Sequence, residues 1–278
     1  MDQHTSSGAA LRIEKMSISE ALSREVSDAI RQRRQPKARE EILSGFTPEE
    51  VAAWHDEQAR QEERWRLDQE AKEAQKRTAE LERVIMRSGI PKRYRECRFS
   101  SLQRHLNPEA FDVCQGFVDG AEGEWRGHRG LILKGPPGTG KTSLAVASLL
   151  RLVEDHQPAP IRFLSLSMML QKARESFANN GPGWSVEDAI SGRLVVIDDL
   201  GRQRPTEWVA ETIYTLIGQL YDNNTRVIIT TNATKQQWEE WLDEAVRSRI
   251  TEMCFPLVLA GQDLRTSRPT PAARESIR

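Results

Sequence analysis

A chain of 278 residues, 38% hydrophobic and 29% charged, has room for one full α/β domain and a smaller appendage. Forty Lys and Arg stand against 41 Asp and Glu, a net charge of −1, which excludes a global pull toward nucleic acid or an anionic membrane and confines any such contact to a local patch. Three cysteines, Cys97, Cys114 and Cys254, lie far apart with no CxxC pair, which excludes a zinc knuckle and a disulfide framework.

The chain begins Met1-Asp2-Gln3-His4-Thr5-Ser6, polar and without an apolar h-region, and no apolar run reaches membrane-spanning length. A cytoplasmic protein with no membrane partner is expected. Ser17-Ile18-Ser19-Glu20 has capping-box spacing, and Leu22, Val26 and Ile30 follow one face of a short amphipathic helix. Thr47-Pro48-Glu49-Glu50 opens a second, long helix with an N-cap, a proline at the first position and a glutamate at the third. That helix runs to about Met86. From Asp68 to Glu80 it is nearly all charged or small residues, with acidic and basic types interleaved, so it reads as a solvated connector. Trp54 and Trp65 are the exceptions and call for cover from the N-terminal helices or from a partner.

Ser88-Gly89-Ile90-Pro91 ends the helix and sets the domain boundary: residues 1–89 form a helical partner-binding region and linker, 90–265 the main domain, and 266–278, rich in Pro, Ser, Thr and Arg, a disordered tail. Within the main domain, strand-like runs at 131–134, 161–166, 194–197, 226–231 and 255–259 alternate with helical stretches. This alternation predicts an α/β fold with a parallel five-stranded sheet covered by helices on both faces.

Gly135-Pro136-Pro137-Gly138-Thr139-Gly140-Lys141-Thr142 matches GxxxxGK[ST] between the strand 131–134 and a helix opening at Ser143, the context that a phosphate-binding loop requires. Its glycines let the backbone approach phosphate, and successive N–H groups at a helix N-terminus supply positive partial charge. Lys141 is then the ligand of the β- and γ-phosphates of ATP, and Thr142 a ligand of Mg²⁺. Leu194-Val195-Val196-Ile197-Asp198-Asp199 is an apolar strand ending in two carboxylates, expected beside the P-loop strand. Asp198 would organise Mg²⁺; Asp199 would orient or deprotonate the attacking water.

With both motifs in place, the sequence resembles the AAA+ ATPases, in the branch of DnaC/DnaI-type helicase loaders and IstB-type transposition ATPases. The resemblance covers residues 90–265 and rests also on Ile90-Pro91-Lys92-Arg93-Tyr94, Asp198-Asp199-Leu200-Gly201 and Val227-Ile228-Ile229-Thr230-Thr231-Asn232. It implies an AAA+ core without a C-terminal lid, since few residues follow position 249. By resemblance, Asn232 is sensor 1, Arg249 is the arginine finger offered to a neighbouring subunit with Arg247 as the alternative, and Arg265 is sensor 2. Asp199 departs from the glutamate of many AAA+ enzymes, which implies slow hydrolysis, nearer a switch than a motor. Related loaders contact single-stranded DNA where this chain has Lys172, Arg174 and Phe177, cations beside an aromatic.

The function implied is ATP-dependent loading of a hexameric, DnaB-type replicative helicase onto single-stranded DNA, with self-association through Arg249. An IstB-like transposition helper assembling on duplex DNA and an ATP-binding adaptor with little hydrolysis and no DNA contact remain alternatives.

Overall fold

The computed structural model of the chain describes residues 47–155, 159–178, 185–201 and 206–265. The helix expected at Ser17–Ile30 and the tail 266–278 lie outside the described residues. Packing divides the chain into two units, Met1–Lys76 and Arg77–Arg278.

Helix α1 (Pro48–Arg87) starts where its capping signal places it. The Thr47 N–H donates to the Glu50 carboxylate at 2.8 Å, and the Glu50 N–H returns a bond to Thr47 Oγ1 at 3.3 Å. Those bonds hold the Glu50 carboxyl below its ordinary pKa. In the first unit Trp54 is buried while Trp65 is 67% exposed. Exposed ion pairs such as Lys72–Asp68, 2.6 Å apart, decorate the middle of the helix and contribute little stability.

In the second unit the last turns of α1 belong to the core, for Leu81, Val84 and Ile85 pack against it. The helix ends at Gly89, whose φ of +85° is left-handed. A Cβ there would come within 2.6 Å of the Phe163 carbonyl oxygen, so only glycine permits this close approach. The neighbouring Ser88 carbonyl accepts a bond from the Phe163 N–H at 2.7 Å.

The other α-helices and strands among the described residues are α2 (Pro108–Asp119), β1 (Gly130–Lys134), α3 (Lys141–Asp155), β2 (Ile161–Ser165), α4 (Leu166–Ala178), α5 (Val186–Ile190), β3 (Leu194–Asp198), α6 (Glu207–Asp222), β4 (Val227–Thr231), α7 (Lys235–Trp241), α8 (Glu244–Met253) and β5 (Cys254–Val258). All strand pairings are parallel, in the order β2-β3-β4-β1-β5. Side chains alternate across the sheet. Leu131, Leu133, Leu194 and Val196 face a core shared with α2 and α3, whereas Ile132, Val195, Ile197 and Ile229 face one shared with α4, α6 and α8. Helices therefore cover both faces, as the alternation predicts.

One expectation is corrected. The strand ending in Asp198-Asp199 does not lie beside the P-loop strand, because β4 runs between them, paired to β1 on one side and β3 on the other. Burial explains the order. Each of the five residues of β4 is buried, which suits the middle of a sheet, whereas β5 carries Pro256, which cannot donate to a ladder and belongs at an edge.

Candidate nucleotide-binding site

Residues 135–140 form the turn between β1 and α3, and Lys141 and Thr142 open the helix, so the N–H groups of its first turn have no helical partner and face the loop. Gly138 adopts φ +80°, and a Cβ there would collide with Asp263, which lies against it. Lys141 is buried; its Nζ donates to the carbonyls of Gly135 at 2.7 Å and Pro136 at 2.6 Å. Burial pushes its pKa below the ordinary lysine value, Asp199 opposes that shift, Arg265 adds to it, and Asp198 opposes it. An ammonium held on carbonyls at the mouth of a glycine cradle is poised to exchange them for phosphate oxygens. Thr139 Oγ1 donates to the Pro136 carbonyl at 2.9 Å, tying the turn together, and Ser143 receives the Cys97 thiol at its carbonyl, 3.5 Å away.

The ends of β3 and β4 meet α3 here. Asp198 Oδ1 accepts from Thr142 Oγ1 and from Thr230 Oγ1, both at 2.8 Å. Burial raises the Asp198 pKa above the usual aspartate value; the two hydroxyls pull it down, Asp199 pushes it up, and Arg93 lowers it. Asp199 has a left-handed backbone, φ 66°, a conformation that is strained for a residue with a side chain. Its N–H donates to Thr230 Oγ1 at 3.0 Å, and its Oδ1 accepts from Asn232 Nδ2 at 2.6 Å. The structure therefore brings Lys141, Thr142, Asp198, Asp199 and Asn232 to one end of the sheet. Thr230 is the residue that motif reading missed. Its signal was a hydroxyl at the end of an otherwise apolar, buried strand, where a polar group needs a partner.

Beside the P-loop a small open cleft is lined by Leu102, Leu106, Phe111, Leu144 and Leu264, with Gln103 and Asn107 as polar groups. Leu264 comes from the segment that leaves β5, and its N–H donates to the Gly138 carbonyl at 3.1 Å. Arg265 is exposed next to it, its N–H bonded to Asp263 Oδ1 at 2.9 Å.

A family model for the IstB-like ATP-binding proteins matches residues 124–267. The chain belongs to this family. That span carries the glycine loop, Lys141, both carboxylates and Asn232. No curated protein matches the chain. Among solved structures, that of the DnaC helicase loader superposes with a TM-score of 0.54 at 27% identity, covering 61% of this chain and 100% of that one. DnaI gives 0.52 at 19% identity, with 63% and 94% covered. Domain III of the Thermotoga maritima replication initiation protein DnaA gives 0.50 at 17% identity, with 62% and 70% covered. The last two likenesses speak to the fold alone. The fold is the AAA+ P-loop fold, with a helical region ahead of it.

Other candidate residues of this IstB-like domain stand on α4 and α8. Arg249, on α8, sets its guanidinium 4.9 Å from the centre of the Tyr214 ring on α6. Its Nη1 and the Nε of Arg247 are buried with no hydrogen-bond partner among the described residues. On α4, Lys172 and Arg174 are exposed, and Arg174 lies 4.8 Å from the Trp208 ring centre. Phe177 is in the last turn of α4, and its side chain is outside what the structure describes. Among the described residues no cluster of three or more His, Cys, Asp or Glu is placed to hold a metal ion, and no helix is long and apolar enough to cross a membrane.

Proposed function

We propose that this chain is an ATP-dependent loader of a hexameric replicative DNA helicase onto single-stranded DNA. The observation that carries the reading is the match to the DnaC helicase loader over that structure's full length, in the same α/β frame. In this reading the base enters the cleft between Leu144 and Leu264, and Lys141 leaves the carbonyls of Gly135 and Pro136 for the phosphates. Thr142 and Asp198, already 2.8 Å apart, fit Mg²⁺ as hydroxyl ligand and as a carboxylate acting directly or through water. When bound, the ion neutralises phosphate charge.

Asp199 orients the attacking water and accepts its proton. Asn232, which donates to Asp199, senses the γ-phosphate. Arg265 serves as the cation from the same subunit. Arg249 is the finger for a neighbour's ATP. Residues 1–89 bind the helicase, Lys172, Arg174 and Phe177 contact DNA, and hydrolysis is slow and stimulated by assembly.

A second reading, a transposition helper assembling on duplex DNA, is favoured by the family model itself, which is that of the IstB-like proteins. Native mass analysis of the full chain with its host's replicative helicase, in ATP and in ADP, separates the two. A nucleotide-dependent complex supports the loader. No complex in either nucleotide, with ATP-dependent filaments on duplex DNA, would overturn it in favour of the transposition reading.

A further inference from the structure

Asn107 is the N-cap of α2 and precedes Pro108 at the first helical position, a standard helix start. An asparagine there ordinarily turns its side-chain oxygen onto an N–H of its own first turn. Asn107 makes no such bond. Its Oδ1 accepts from the Ala260 N–H at 3.0 Å, and its Nδ2 lies 3.5 Å from the Thr139 carbonyl, which it faces as a donor. One partner belongs to the phosphate loop and the other to the segment leaving β5, 153 positions away in sequence.

That segment, residues 259–265, runs as a strap along the phosphate loop. Leu259 N–H donates to the Lys134 carbonyl at 2.7 Å, Leu264 N–H donates to the Gly138 carbonyl at 3.1 Å, and Asp263 lies against Gly138. Asn107 joins strap and loop between these attachments and itself lines the cleft that Leu264 closes on one side. A local helix-capping preference has thus been given up for two long-range bonds at the rim of the nucleotide site.

We propose that Asn107 is a positioning residue for nucleotide: it clasps the strap to the phosphate loop, and so sets the opening of the base cleft and the place of Leu264 at its rim. The inference rests on the reading of this loop as the ATP site. The clasp touches loop and strap but neither Asp198 nor Asp199. Its loss therefore acts on binding of ADP and ATP alike, leaving the chemical step at saturation unchanged.

Asn107→Ser provides the test, with Asn107→Ala beside it. Serine caps a helix as well as asparagine does but is too short to bridge. In the full chain, calorimetry with ADP and with ATP should show both affinities weakened about five- to tenfold in either variant, as expected from losing hydrogen bonds that preorganise a site. Turnover at saturating ATP should stay within about twofold, and hydrogen exchange at the Ala260 amide should quicken. Wild-type affinity in Asn107→Ser with weak binding in Asn107→Ala would make Asn107 a helix cap and overturn the clasp. A fall in turnover without a change in affinity would overturn it too. A wild-type chain that binds neither nucleotide would overturn the reading of the site and the clasp with it.

Discussion

Asp198 is held at the end of β3 against its preference for water, and that conflict has a measurable signature. Its folded pKa lies above the ordinary 3.8, so between the two values the native chain binds more protons than the unfolded chain. The stability this contributes is complete below the ordinary value and is lost as pH rises through the raised one, leaving a desolvated charge at neutral pH. Asp198→Asn should therefore raise the ligand-free melting temperature at neutral pH by about 2–4 °C, the effect of about 1 kcal/mol on a domain of this size, and flatten the acid-side pH dependence of stability. Mg²⁺-dependent ATP binding should fall in the same variant. Thermal melts across pH, paired with titrations of ATP with and without Mg²⁺, read both effects. A drop in melting temperature would sink the argument. At Asp199 the strain is in the backbone, and Asp199→Asn should leave ATP binding intact while lowering turnover by about 10²–10⁴-fold, the range for a general base.

At the scale of elements, two close approaches decide the fold around the site. Gly89 turns the chain from α1 toward the sheet against the Phe163 carbonyl, and Gly89→Ala should destabilise the chain by about 1–3 kcal/mol, read from the denaturant midpoint. Gly138→Ala meets Asp263 of the strap, and its expected effect is loss of nucleotide binding out of proportion to loss of stability. Helix α4 offers a different test. If Lys172 and Arg174 contact phosphates, replacing both with alanine should weaken single-stranded DNA binding and flatten its salt dependence by about 0.7 for each phosphate that is no longer neutralised. An unchanged salt slope would assign Arg174 to its packing on Trp208 instead.

For the whole molecule, the place of a cut matters. Leu81, Val84 and Ile85 pack on the core, and Ser88 bonds Phe163, so the second unit begins ahead of the helix break. A chain starting at residue 77 should keep its fold and ATP binding and, if the loader reading holds, lose helicase binding. One starting at residue 90 should be less stable by about 3–5 kcal/mol, because those apolar side chains no longer cover the core. Chemical denaturation of the two truncations distinguishes them. Assembly is tested through Arg249: if it completes a neighbour's site, Arg249→Ala should abolish the rise of specific ATPase activity with protein concentration, a loss of about 100-fold or more at high concentration. A concentration dependence that persists would move the role to Arg247 or away from α8.

Composition and local pattern carried much of this protein, because they reflect forces that act over a few residues. The glycine loop before Lys141 and Thr142 needs only a strand ahead of it and a helix behind it. The capping residues at Thr47 and Glu50 fix a helix start within one turn, and apolar runs such as 194–197 declare buried strands. The order of the strands was beyond local reading, since β1 and β3 are equally apolar and only packing put β4 between them. The same packing brought Thr230 to the Asp198 carboxyl across 32 positions and Asn107 to Ala260 across 153. A hydrogen bond between distant residues leaves no periodicity and no spacing in the sequence. Residues whose chemistry is set by neighbours in sequence were legible there, and those whose partners arrive through the fold, Asn107 above all, became visible only in three dimensions.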